Sequence, residues 1–213
     1  MLTPCTLTGR HVRLEPLAAE HVGGLVAAAA EDRAGYGYTW VPDGRGETKT
    51  YVEAALQQAA GGRAVPFAVR RLSDGAIVGS TRFMDLEVFA DPAPWPPGIG
   101  VGGTPSDDNL PSVAEIGSTW YAASAQRTAI NTEAKLLLLT HAFETWRSLR
   151  VTLKTDARNV ASRRAIERIG GRFEGVRRVH TVATDGGLRD TAYFSIIAAE
   201  WPAVRHGLVS RLG

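Results

Sequence analysis

Apolar and polar residues alternate along Arg10-His11-Val12-Arg13-Leu14-Glu15-Pro16, the two-residue period of a strand with one buried face, and Pro16 ends it. Ala18 to Glu31 is Ala-rich and predicts a helix. Thr48 to Ala60 predicts a second, stopped by Gly61-Gly62. Between them Tyr36, Tyr38 and Trp40 stand among glycines, an aromatic loop. Pro66 to Leu72 and Ile77 to Phe83 form a hairpin around Ser73-Asp74-Gly75. Val113 to Tyr121 is the next strand. Asn131 to Trp146 carries Ala134, Leu137, Leu138, His141 and Thr145 at three- and four-residue spacing, an amphipathic helix. Arg150 to Thr155 is a β-branched strand, and Asn159 to Ile169 a helix ended by Gly170-Gly171. Strands near 172–183 and 188–198 meet through Asp185-Gly186-Gly187, and Trp201 to Leu212 is a last short helix.

Hairpins mixed with strand–helix–strand crossovers predict a mixed sheet flanked by helices. No internal repeat is visible. One stretch breaks the rhythm: residues 91–111 hold six of the eleven prolines together with Gly98, Gly100, Gly102 and Gly103. That composition supports neither ladder nor helix, so a long loop is expected there. The strands on either side read as neighbours in one sheet, so it is not a linker between domains.

Composition narrows the class. The chain has 213 residues, 44% hydrophobic and 22% charged, enough for one sizeable core. Cys5 is the only cysteine, which excludes a disulfide framework and a Cys-based metal cluster. The start lacks the basic and apolar regions of a signal peptide. The longest apolar runs, 136–139 and 196–199, fall far short of the roughly 20 residues a bilayer requires. A soluble intracellular protein with no membrane partner is expected.

Charge is uneven. Residues 147–178 hold ten Lys/Arg against Asp156, Glu167 and Glu174, a net +7 in a chain whose total is +2. Such a stretch suits a polyanionic ligand such as a phosphorylated cofactor, or else the solvated faces of ordinary elements. No aromatic interleaving or known module accompanies it, which argues against nucleic acid.

The richest chemistry sits where the strand 113–121 runs through Ala122–Ile130 into the helix opening at Asn131-Thr132. A strand entering a helix through small and polar residues presents unpaired N–H groups, a ready phosphate site. Residues around it make a recognisable series. They are Glu115-Ile116-Gly117 with Trp120, Gln126 to Thr132 with Glu133-Ala134, and His141-Ala142-Phe143. Then follow Asn159 and Ser162 with Ala165-Ile166-Glu167 and Gly170, Glu174-Gly175 with Arg177, and Asp185-Gly186 with Arg189-Asp190. In order and spacing, best over 112–198, they resemble the GNAT superfamily of acyl-CoA N-acyltransferases. The closer resemblance is to its ribosomal-protein N-terminal acetyltransferase (RimJ/RimL-type) branch. Three positions depart from the superfamily pattern. Ala129 and Asn131 stand where its pyrophosphate loop prefers Gly and Gly/Ala; Asn131 is expected to cap the helix. Ile166 replaces a tyrosine that many members use to protonate the leaving thiolate.

The resemblance implies an α/β (α+β) fold, one domain over 1–213 with a mixed, mostly antiparallel twisted sheet and a loop excursion at about 85–111. It implies acetyl-CoA as co-substrate, no metal, and an amine acceptor, either a protein N-terminus or a small molecule. It leaves a homodimer open. Acyl-CoA would lie between splayed strands 113–121 and 150–155. Its pyrophosphate would meet Gln126, Arg127, Thr128, Ala129, Ile130, Asn131 and Thr132, and its pantetheine Trp120, Tyr121, Asn159 and Ser162. A free amine would attack the thioester directly, which needs a base, oxyanion donors and an acid. The candidates are Glu115 as base, His180 as alternative base, and Ser162 as proton donor or pantetheine contact. Each has a plainer reading: a strand carboxylate paired with arginine, an exposed strand histidine, a polar residue in a helix's first turns. A rival reading is a non-catalytic acyl-CoA-binding module on the same fold. Another is an enzyme acting on an antibiotic or metabolite.

The remaining conspicuous residues read as structural. His141 lies on an apolar helix face; His11, His21 and His206 have no partners at metal-ligand spacing; Trp146 and Trp201 read as packing. Tyr36, Tyr38 and Trp40 either line an acceptor pocket or stack under a loop. The 91–111 loop, with Trp95 and Asp107-Asp108, is read as covering the acceptor or contacting a partner chain.

Overall fold

Eight strands form one sheet in the order β1-β2-β3-β4-β5-β6-β8-β7, and every neighbouring pair is antiparallel except β5 and β6. The computed structural model describes residues 2–89 and 110–213. The strands are β1 (Leu7–Thr8), β2 (Val12–Pro16), β3 (Val65–Arg71), β4 (Ile77–Glu87), β5 (Val113–Tyr121), β6 (Arg150–Asp156), β7 (Arg172–Val182) and β8 (Leu188–Ile197). The helices are α1 (Val22–Ala30), α2 (Gly44–Ala60), α3 (Ala129–Thr140), α4 (Val160–Arg168) and α5 (Trp201–Leu212). The expected mixed, mostly antiparallel sheet flanked by helices is the fold found. Among the described residues no helix is long and apolar enough to cross a membrane.

The parallel pair follows from α3, since parallel neighbours need a crossover and α3 is that connection. Its anchor is Glu133, a buried carboxylate that accepts from the backbone N–H groups of Arg10 (2.8 Å), His11 (2.6 Å) and Val12 (2.8 Å). α3 also packs on α5, and in the turn that follows it Phe143 stacks on Trp201 at 5.4 Å and Glu144 accepts from the Trp201 indole. α1 packs on α2 and β4; a Cβ on Gly24 would stand 2.7 Å from Ile77, so this helix needs glycine to approach. Phe67, Phe83, Phe194, Leu14 and Leu138 are fully buried between these layers.

Several boundaries differ from the sequence reading. The first helix begins as a 3₁₀ turn, Ala19–His21, before α1. α2 begins four residues earlier than its apolar pattern, at Gly44, where Glu47 accepts from the Asp43 N–H at 2.9 Å and so covers an open end. The long helix starts at Ala129 and widens into a π turn over His141–Thr145, which a uniform 3.6-residue period does not reveal. β1, at two residues, is too short to show an alternating pattern, and β4 runs on to Glu87. Of the 91–111 stretch, residues 91–109 lie outside the described residues, and with them Trp95, Asp107 and Asp108.

Candidate active site

β5 and β6 pair only at Val113–Glu115 with Arg150–Thr152 and part beyond that point. The register of the flanking strands carries this fork. From Ser80↔Trp120 to Arg82↔Gly117, β5 spends three residues against two on β4, and the surplus Ser118 adopts a positive φ of 47°. A second surplus residue lies on β4 itself, at Asp85 (φ 46°). A third irregularity lies on β7, where Arg177–Thr181 spans only Thr191–Arg189 of β8 and Val179 takes φ 49°. For a β-branched residue that conformation is strained. The Val179 N–H, held at 2.7 Å by Asp190 Oδ1, fixes it. Bulges re-aim side chains, and these three flank one spot.

At that spot Glu115, 6% exposed, lines a cavity of about 340 Å³ together with Asp85, Glu87, Arg150, Thr152, Lys154 and Tyr193. Lys154 Nζ lies 2.6 Å from Glu115 Oε2 and 2.8 Å from Asp85 Oδ2, over the Tyr193 ring at 5.1 Å. The contact to Glu115 is close but poorly angled, leaving Oε2 without a well-formed hydrogen bond. Burial lifts the Glu115 carboxyl to about 7 against the pull of Lys154, and Asp85 pushes the same way as burial. Burial works to lower Lys154, but the two carboxylates outweigh it and hold its ammonium well above the ordinary range.

His180 comes to the same neighbourhood. Its Nδ1 lies 2.9 Å from Thr191 Oγ1 and its Nε2 3.4 Å from the Tyr193 hydroxyl. Partial burial and the cations Arg177, Lys154 and Arg189 hold it below the ordinary imidazole value, so it is neutral at pH 7. Ser162 lies in the first turn of α4, where its N–H donates to Asn159 Oδ1 at 3.0 Å; Asn159 is the cap that the sequence suggested. Ile166 is buried in the core behind Gly171.

The turn into α3 differs in detail from the expectation. Thr128 caps the helix, accepting from the Ile130 N–H at 3.2 Å and donating to the Ala125 carbonyl at 2.7 Å. Asn131 is therefore the third residue of α3 and not its cap, because the chain turns helical two residues earlier. The left-handed residue is Arg127 (φ 60°), while Ala129 has ordinary backbone, so alanine costs the turn no strain. The N–H groups of Ala129 and Asn131 lie in the first turn, ahead of any helical acceptor. Gln126 turns inward: its side-chain amide donates to the Tyr121 carbonyl at 3.0 Å, which also accepts from the Tyr36 hydroxyl at 3.1 Å. Where β5 leaves the fork, the Trp120 indole nitrogen and Tyr121 hydroxyl are buried with no hydrogen-bond partner among the described residues. Unpartnered donors beside the open N-terminus of α3 are compatible with the amide-rich arm and pyrophosphate of an acyl-CoA.

Four of the ten cations of the basic stretch are held in ion pairs. Arg150 pairs with Glu174, Lys154 with the acids above, Arg158 with Asp156 and Asp185, and Arg172 with Glu200. The aromatic loop divides. Tyr36 is buried edge-on to Trp120, whereas Trp40, 55% exposed, lines a second cavity of about 370 Å³ with Arg33, Asp43, Glu47, Thr184 and Asp185. His141 packs between Phe83 and Trp146 beside Cys5, and burial raises the Cys5 thiol. His21 is buried against Glu15.

Lys154, Asp85 and Tyr193 were not singled out from sequence. Lysine's scarcity was the available signal: Lys49, Lys135 and Lys154 are three among 24 cationic side chains.

A strand pair splayed beside a helix N-terminus, with a buried carboxylate at the fork, defines an acyl-CoA-dependent acetyltransferase. The acetyltransferase (GNAT) domain matches residues 11–172, and the chain belongs to that family. A GCN5-related N-acetyltransferase from Brucella melitensis superposes with a TM-score of 0.80 at 30% identity, covering 100% of this chain and 87% of that one. A putative acetyltransferase from T. thermophilus gives 0.79 at 29%, covering 100% of each chain. Mycobacterium smegmatis RimJ, solved with CoA-disulfide, shares the fold with a TM-score of 0.75 at 23% identity, over 98% of this chain and 95% of that one. Among curated proteins no match is found.

Proposed function

We propose that this chain moves an acetyl group from acetyl-CoA to a primary amine by direct attack, with Glu115 as the base. The observation that carries this is the buried carboxylate at the strand fork, lifted by its surroundings to about 7. A base poised there is half ionised at neutral pH, where it both accepts a proton readily and gives it up again. When bound, acetyl-CoA supplies the activated acyl group and a thiol leaving group.

The chain's own groups do the rest. The Ala129 and Asn131 N–H groups hold phosphate at the α3 first turn, with Arg127 and Thr132 beside them. Trp120, Tyr121, Asn159 and Ser162 line the arm. Glu115 takes the acceptor's ammonium proton, and Asp85 and Tyr193 offer that ammonium the same carboxylate and aromatic surroundings they give Lys154. His180, neutral and half-buried, is placed to relay the proton outward through Tyr193 or water. With Ile166 in the core, the departing thiolate takes its proton from Ser162, Tyr193 or solvent. The acceptor is a cationic amine, a small molecule or a protein N-terminus. The aromatic and acidic lining around Trp40, Asp43, Glu47 and Asp185 supports that class.

The test is thiol release from acetyl-CoA across a panel of small amines and peptides with free N-termini. Amine-dependent release that collapses in Glu115→Gln while acetyl-CoA still binds supports the reading. Binding with no release for any amine would favour the non-catalytic module.

A further inference from the structure

Of the three lysines, Lys49 sits on the exposed face of α2 with Glu53, and Lys154 belongs to the acid cluster. Lys135 has no part in the chemistry above. It leaves the second turn of α3 toward β5 and is 5% exposed; its Nζ donates to Thr119 Oγ1 at 2.9 Å. Thr119 Oγ1 lies in turn 2.7 Å from Thr81 Oγ1. The amine thus ends on a pair of hydroxyls beside the Ser118 bulge.

Charged groups on the packed elements face elsewhere. Glu133 of α3 is held by the β1–β2 turn, and Arg82 of β4 lies over Tyr51 and bonds Gln58. Glu115 of β5 meets Lys154, Arg205 of α5 meets Glu144, and His141 sits beside Cys5. Arg10 reaches toward the Leu212 carbonyl. Burial alone therefore governs Lys135 and pulls it down to about 7. An arginine at this place could not shed its charge.

A long helical side chain lies over the turn that precedes its own Cα. For Lys135 that is the turn of Asn131 and Thr132, continuous with the free N–H groups of α3. Phosphates seated there bring negative charge within about one or two helical turns, roughly 5–11 Å, through core where fields are weakly screened. We propose that Lys135 is a positioning residue that takes up a proton from solvent when acyl-CoA phosphates occupy the first turn of α3. The ammonium so formed strengthens its bond to Thr119, and with it fixes the bulge that opens the fork. This rests on the acyl-CoA reading of the α3 turn.

The experiment is calorimetric titration of the whole protein with acetyl-CoA at pH 8 in HEPES and in Tris, whose ionisation heats differ. A one-unit rise from about 7 means uptake of roughly 0.4 proton per ligand at that pH. Wild type is expected to show that uptake. Lys135→Met and Lys135→Arg are expected to bind without it, and Lys135→Met to lose the weakening of acetyl-CoA affinity that wild type shows as pH rises from 7 to 9. Equal uptake in wild type and Lys135→Met, or tight wild-type binding with no uptake, overturns the inference and leaves the acyl-CoA reading standing. No wild-type binding overturns both. Should the variants fail to fold, the wild-type ¹³Cε resonances of three lysines give the answer directly. The Lys135 midpoint moves up when acetyl-CoA is added, and an unmoved midpoint overturns the inference.

Discussion

Gly79 and Trp120 meet backbone to backbone: a Cβ on Gly79 would stand 2.1 Å from the Trp120 carbonyl oxygen, and Gly79 has φ 155°. A carbonyl within a ladder cannot give way as a flexible side chain would. Gly79→Ala must push β4 and β5 apart just where Trp120 and Tyr121 enter the fork. We expect a loss of about 1–3 kcal/mol or more in urea unfolding, with acetyl-CoA binding weakened in the fraction that folds. Wild-type stability in this variant would contradict the contact.

Glu115→Gln keeps shape and removes the base. Turnover should fall about 10²- to 10⁴-fold, with the KM for acetyl-CoA changed less than about threefold if the arm's contacts are untouched. The wild-type rate against pH should rise through a midpoint near 7 as Glu115 ionises. Persistence of that limb in Glu115→Gln would assign it to another group.

His180→Ala separates relay from base. His180 touches Thr191 and Tyr193 but is not at the bottom of the Glu115 cavity. A loss under about tenfold in kcat is expected, smaller than a missing general base produces. A loss equal to that of Glu115→Gln would exchange the two roles.

Thr128→Ala deletes the α3 cap. About 0.5–2 kcal/mol of stability should go with it. The affinity for acetyl-CoA should drop as well, because the Ile130 N–H loses its acceptor and the turn its bond to Ala125. Thermal melts with and without ligand measure both.

Lys135→Met should stabilise the free protein at neutral pH. The folded chain holds this amine near 7 while an unfolded lysine titrates near 10.5. Between those values the unfolded chain binds the extra proton, so wild-type stability rises with pH and the burial penalty is largest below about 7. Tm should rise by roughly 2–4 °C for each kcal/mol recovered. The gap between variant and wild type should narrow toward pH 10.

The sequence made much of this visible because its signals are local. Alternation at Val12-Leu14 and Thr-rich β6, caps such as Asn159, and glycine stops set most elements. The sheet's parallel pair followed from the helix between two strands. Glu115 and His180 could be nominated singly, yet nothing local told that Lys154, thirty-nine positions after Glu115, would stand beside it. That meeting depends on pairing register. The bulges at Asp85, Ser118 and Val179 were hidden because none of the three is glycine, the usual mark of a positive φ. Asn131 looked like a cap because Asn is a good one, but Thr128 reached the position first.

The fork between β5 and β6 is a counting error preserved in the ladder. The surplus residue on β5 at Ser118 is offset by one on β4 at Asp85, so the register is the same at Ser80–Trp120 and Glu87–Val113 and displaced by one only between them, beside Glu115. Deleting Ser118 would leave the Asp85 surplus on β4 uncompensated, so the pairing at one end, Ser80 with Trp120 or Glu87 with Val113, would have to slip by one residue. The loss of a single residue would thus move one wall of the cavity, with every proposed binding and catalytic side chain still present in the chain.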